Sequence, residues 1–154
     1  MKNLLNRLFD SNSNIEELLS ILDNNSNTKS IILKGLSGSS KAFILAKLSQ
    51  ENKNLTCVIL PDKESASYFY DDLNNIIGDK NILFYPSAYK RSIEYLKTDK
   101  TNIVLKTEVL NKISSNKKPY LIITYPGAII EKVISNKTLT KNTSLVNFFH
   151  LNSV

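Results

Sequence analysis

Only one cysteine, Cys57, and one histidine, His150, occur among the 154 residues. No disulfide can therefore form within the chain, and a histidine-based metal cluster or nucleophile–base dyad has few parts to draw on. Arginine is nearly as scarce, at Arg7 and Arg91, so positive charge is carried by lysine. No run approaches the ~18 apolar residues of a membrane-spanning helix. The opening segment Met1–Asp10 alternates polar and apolar residues too quickly for a signal-peptide core. The cytoplasm is the default compartment, no membrane partner is expected, and the chain is read as a monomer.

What is present is ordinary for a soluble globular domain: 42% apolar and 22% charged residues, with a core to be found. The net charge of +6 permits an anionic partner without requiring one, because the lysines are scattered and the chain is rich in asparagine.

Leu4, Leu5, Leu8 and then Ile15, Leu18, Leu19, Leu22 recur at helical steps, parted by Asp10–Ser13, which predicts a helical preface and linker over 1–28. Between 29 and 140 short apolar runs alternate with amphipathic stretches. Strands are expected at Ile31–Lys34, Leu55–Leu60, Asn81–Tyr85 and Pro119–Tyr125. Helices are expected at Ser39–Gln50, Lys63–Ile77, Thr101–Ser114 and Gly127–Ile134, with Gly78 capping the second of these. Continuously apolar strands between helices mean an α/β fold with a mostly parallel sheet flanked by helices. Residues 141–154 form an irregular or truncated tail, in which Leu145–Phe149 has the composition of a fifth strand.

One loop carries a chemical signal. A phosphate-binding loop needs Gly, four residues, Gly, Lys, then Ser or Thr, between a buried strand and a helix. The segment Gly35–Ala42 has that spacing, with Gly35 and Lys41 in place, but Ser40 stands at the second glycine and Ala42 at the hydroxyl. A methyl group cannot ligate magnesium. A later strand should end in the acidic residues that hold the metal and orient water, yet Ile59–Asp62 is interrupted by Pro61 and Leu121–Tyr125 ends without an acid. Both halves of a hydrolytic apparatus fail independently, so no ATPase activity, catalytic residue, metal or cofactor is expected of this chain. The functional reading of Gly35, Gly38, Ser39, Ser40 and Lys41 is a weak anion site at a helix N-terminus. The commoner arrangement, preferred here, has Ser39 or Ser40 capping the helix and Lys41 in water.

Other candidates are weighed the same way. Cys57 inside Leu55–Leu60 reads as a small core residue. Asp71, Asp72 and Glu64 read as a solvated helix face, since adjacent helical residues diverge. Tyr85, Tyr89 and Tyr95, interleaved with Lys90, Arg91 and Lys97, have a composition suited to stacking on bases and contacting phosphates. A surface loop whose tyrosines pack on the sheet edge is preferred, and Tyr89, Lys90 and Arg91 are kept as possible nucleic-acid contacts.

Five stretches carry a family resemblance: Leu33–Ala42, Val58–Asp62 with Ala66 and Asp71–Leu73, Leu83–Pro86, Thr101–Leu110, and Ile122–Ile129. In order and spacing the run from Ile31 to about Leu139 resembles the N-terminal module of the bacterial transcription-repair coupling factors, Mfd. Asn102–Asn111 is especially like members from the Bacteroidetes. The resemblance implies a helicase-like fold of the kind found in UvrB domain 1a, with a degenerate phosphate loop. It also implies that ATP and magnesium are used by a separate motor of the complete protein, whose partners are UvrA, RNA polymerase and double-stranded DNA. After Leu139 the sequence departs from the family, so no segment contacting UvrA or the polymerase is recognised. The leading reading is a non-catalytic module of such a factor. The alternatives are a small phosphate-loop nucleotide-binding protein and a helicase-like single-strand DNA-binding domain.

Overall fold

A computed structural model describes residues 12–23, 30–51, 55–78, 81–89, 99–115, 120–133, 135 and 138. Apolar residues at three- and four-residue steps form helices α1 (Ser13–Asp23), α2 (Ser40–Glu51), α3 (Lys63–Ile77) and α4 (Lys100–Ser115). The short apolar runs form strands β1 (Thr56–Ile59), β2 (Ile82–Phe84) and β3 (Leu121–Thr124), and a single turn, α5 (Pro126–Ile129), follows β3.

The ends of α3 show local chemistry setting a boundary. Asp62 is extended and its carboxylate accepts from the Ser65 N–H at 2.7 Å and from the Ser65 hydroxyl at 3.0 Å, which satisfies a helix donor that has no intrahelical partner. Those bonds hold the Asp62 carboxyl below its usual range. At the other end Gly78 turns left-handed at φ 62° and its N–H reaches the Asn74 carbonyl at 2.8 Å.

The strands pair in the order β1-β3-β2, all parallel, with both Cys57 and Leu83 opposite Ile122. The central strand β3 is buried at every position. This is why Leu121–Ile123 is apolar without alternation. One sheet face, carrying Val58, Ile82, Leu121 and Ile123, packs on Ala42 and Ala46 of α2 and on Ala66 and Leu73 of α3. The opposite face, with Leu83 and Ile122, packs on Val109 of α4. Ile15 and Leu18 seat α1 on Ile44 of α2, one layer out from the sheet. The sheet with helices on both faces is thus the expected α/β architecture.

Several expectations need correction. Ile31–Lys34 is not a strand: no described neighbour supplies a ladder, and Ile32 is 79% exposed. Cys57 is exposed rather than core, because its face of β1 lies beyond the reach of α4, although partial burial still pushes the thiol pKa up. The last helix is one turn instead of Gly127–Ile134, since the chain leaves helical geometry where Glu131 is drawn into other bonds. On α4, Ile103 and Val104 are exposed while Lys106 is buried. The boundaries at 28/29 and 140/141, the helix around Leu4–Leu8, the run Leu145–Phe149, His150, Tyr95 and Lys97 lie outside the described residues.

Candidate functional site

The loop before α2 needs two left-handed residues, Gly35 at φ 79° and Gly38 at φ 54°. A non-glycine residue in that region costs roughly 1–2 kcal/mol. A Cβ at either glycine meets nothing within 4 Å, so the requirement comes from the backbone alone. Ser40 turns its hydroxyl and its N–H back onto the Ser37 carbonyl, at 2.6 and 3.1 Å, and the Phe43 N–H reaches the Ser39 carbonyl at 3.1 Å. Lys41 is exposed. The hydroxyl of Ser40 therefore closes the turn by donating to a carbonyl, rather than accepting from a helix N–H as a cap does, and no described strand leads into the loop.

Ala42 decides what this loop can do chemically. It is 0% exposed and packs in the main core with Leu73 and Ile123. The position at which a phosphate loop presents a hydroxyl to magnesium faces the sheet interior here, so the chain supplies no metal ligand at that point. Gly35, Gly38, Ser39, Ser40 and Lys41 are brought into one loop, which offers backbone N–H groups, the hydroxyl of exposed Ser39 and one exposed amine.

Of the aromatic-basic stretch, Tyr89 is described and Lys90 and Arg91 are outside the described residues. Tyr89 is half-buried; its N–H donates to the Ser87 hydroxyl oxygen at 3.2 Å. It lines a cavity of about 280 Å³ together with Ala88, Ile103, Lys106, Glu131 and Val133. Its ring is part of a wall rather than a free platform. Asp71, Asp72 and Glu64 are exposed on α3 as expected.

A feature that sequence reasoning missed lies beside that cavity. Lys106 of α4 and Glu131 after α5 pair at 2.5 Å, both side chains 7% exposed. The Glu131 carboxylate also accepts from the Ser87 hydroxyl and from the Ala88 N–H at 3.0 Å. Lys106 Nζ in addition approaches the Ala128 carbonyl at 3.4 Å and sits 4.9 Å from the centre of the Tyr85 ring. The Tyr125 phenol oxygen accepts from the Ser87 N–H at 2.8 Å. Burial disfavours the Glu131 anion, but the bonds from Lys106, Ser87 and Ala88 and the charge of Lys106 outweigh it and hold its pKa below the usual carboxylate value. Burial, reinforced by the Glu131 charge, raises the phenol of Tyr85. For Tyr125 burial again dominates against the Ser87 bond, and its pKa is raised.

The cluster ties the segment after β2 to the segment after β3, at the carboxyl edge of the sheet. Ligands of open α/β sheets bind at that edge. Here the place is filled by an internal ion pair whose polar atoms are mutually satisfied. A signal was available: Lys106 lies three residues from Ile103 and Val109 and four from Leu110, so it shares the apolar side of α4 and needs a partner there.

A wider groove, about 670 Å³, lies elsewhere, between α3 and α4 beside β2, lined by Tyr70, Asn74, Phe84, Val109 and Lys112 among others. Lys112 is paired along the helix with Glu108 at 2.5 Å. Among the described residues no three His, Cys, Asp or Glu side chains converge to hold a metal, and no helix is long and apolar enough to cross a membrane.

No family model and no solved structure matches the chain. It is similar to the transcription-repair-coupling factor of Bacillus subtilis (strain 168), 24% identical over 118 residues that make up 77% of this chain. The chain spans about a tenth of that relative's length, 10%, so the similarity is to a segment of a transcription-repair-coupling factor.

Proposed function

We propose that this chain is a non-catalytic segment of a transcription-repair coupling factor, an α/β scaffold that retains the layout of a nucleotide-binding half without its chemistry. The similarity over 77% of the chain supports the connection to that factor. The observation that carries the non-catalytic part is Ala42, which places a methyl group in the core where phosphoryl chemistry needs a metal-binding hydroxyl. In the complete protein, ATP hydrolysis and movement along double-stranded DNA belong to a separate motor, and UvrA and RNA polymerase are engaged by other segments. The role of this unit is to present its neighbours on a rigid sheet.

The test is magnesium-dependent ATP hydrolysis and calorimetric ATP binding by the purified chain, with Lys41→Ala as control. The proposal expects no heat of binding at micromolar ATP and the same background hydrolysis in both proteins. Hydrolysis above the Lys41→Ala level refutes it and restores the reading of a small nucleotide-binding enzyme.

A further inference from the structure

Three donors converge on the Glu131 carboxylate from outside its own segment. The Lys106 ammonium meets Oε2 at 2.5 Å, the Ala88 N–H donates to the same oxygen at 3.0 Å, and the Ser87 hydroxyl donates to Oε1. One positive charge, one hydroxyl and one backbone N–H around two oxygens make a receptor for a carboxylate, and hydrogen bonds to an ionised acceptor are the strong ones.

The receptor is braced without its occupant. The Tyr85 N–H donates to the Ile123 carbonyl at 2.9 Å, and the Thr124 hydroxyl donates to the Tyr85 carbonyl at 3.0 Å. Beyond them the Ser87 N–H donates to the Tyr125 phenol oxygen at 2.8 Å, and the Asp99 N–H to the Ala88 carbonyl at 2.9 Å. Lys106 projects from α4, with the Tyr85 ring 4.9 Å away and the Ala128 carbonyl at 3.4 Å. None of these contacts involves Glu131, so the donors keep their places when its side chain is removed. The occupant is held differently. Ala128 is buried, Ile129 and Ile130 are 45% and 79% exposed, and Glu131 then turns its carboxylate inward. The chain between Ala128 and Glu131 is thus a short tether over the surface. The cavity of about 280 Å³ touches Ala88, Lys106 and Glu131, which gives a second carboxylate room to reach the same donors.

We infer that Ser87, Ala88 and Lys106 form a carboxylate-binding site at the carboxyl edge of the sheet, which Glu131 fills as a tethered ligand and which a free carboxylate enters once that side chain is cut back. Tethering keeps the effective concentration of the Glu131 carboxylate in the millimolar range or above, so a simple acid does not displace it from the unchanged protein. A natural competitor needs contacts beyond its carboxylate. Ile103, Leu110 and Val133 in the cavity wall supply them for an acid with a short apolar body. The inference does not depend on the functional reading above.

Glu131→Ala in the full chain empties the site, and sodium acetate against sodium chloride at equal ionic strength is the probe, read by urea unfolding at pH 7 and by the Ala88 amide resonance. Acetate at about 0.1 M is expected to raise the folded-to-unfolded ratio roughly tenfold, as for a Kd on the order of 10 mM, and to shift the Ala88 resonance saturably. Chloride does neither. The unchanged protein, whose site is filled, and Lys106→Met/Glu131→Leu, which lacks the charge, show no acetate-specific response. If Glu131→Ala is unfolded in chloride, acetate restores its circular dichroism. Absence of any acetate-specific response in Glu131→Ala, folded or unfolded, overturns the inference. So does an equal response in the double variant, which makes the acetate effect general rather than one of this site.

Discussion

Removing the Glu131 carboxylate leaves the Lys106 ammonium buried without its counter-charge, and the cost follows from the geometry. Both side chains are 7% exposed, and Glu131 also satisfies the Ser87 hydroxyl and the Ala88 N–H. Breaking one side of a buried pair typically costs about 3–5 kcal/mol, and an orphaned buried donor about 1–3 kcal/mol. The adjoining cavity of about 280 Å³ gives water a route to the freed groups, so the expected loss for Glu131→Ala is near the lower figure, about 3 kcal/mol. That is a large part of a domain's usual 5–15 kcal/mol. The double variant Lys106→Met/Glu131→Leu removes both charges and is expected to recover most of the loss. Urea unfolding at pH 7, with the slope checked for constancy, measures all three proteins. The pH dependence provides an independent check. The Glu131 pKa is depressed in the folded state, so its stabilisation is complete above the unfolded carboxylate value and is lost as pH falls through the folded one. The acid limb of stability should therefore flatten in Glu131→Gln. A Glu131→Ala loss under 1 kcal/mol, or a double variant no better than the single, would show that the pair is not the clamp that its burial indicates.

Ala42→Thr, which restores the phosphate-loop residue type, should destabilise the chain by about 1–3 kcal/mol through overpacking and still show no magnesium-ATP binding by calorimetry, because position 42 is 0% exposed. Gly38→Ala should lower unfolding free energy by roughly 1 kcal/mol through its φ of 54° alone, with the cavity and core untouched. Asp62→Ala should lower the thermal midpoint at neutral pH by removing the α3 cap. Because the Asp62 pKa is depressed, the difference from the unchanged protein should shrink as pH falls through that value. Leu73→Ala, at a position buried between α3 and the sheet, should cost about 2–5 kcal/mol in urea unfolding.

How much was legible depended on whether a residue's role is local. The boundaries of α3 follow from Asp62 and Gly78, whose side-chain and backbone preferences act within four residues. The burial of β3 follows from the unbroken apolar run Leu121–Ile123, which has no polar face to turn to solvent. The degeneracy of the Gly35–Ala42 loop is a matter of residue chemistry and needs no coordinates. By contrast, Ile31–Lys34 has the composition of a strand, but a strand exists only through a neighbour that shares its hydrogen bonds, and composition does not name that neighbour. Cys57 has the neighbours of a core residue in sequence, yet it lies on the part of the sheet that α4 leaves bare.

The sequence by itself determined the alternation of helices and strands, the class of fold and the absence of a metal-binding hydroxyl at Ala42, because each depends on periodicity or on the identity of a single side chain. Only the tertiary structure decided that β1 pairs with β3 and not with β2, why Ala42 is an alanine, and that Lys106 meets Glu131 across 25 positions of chain. These are long-range relations, set by how α2, α3 and α4 divide between the two faces of the sheet. Residues distant in sequence become one site only once that division is made.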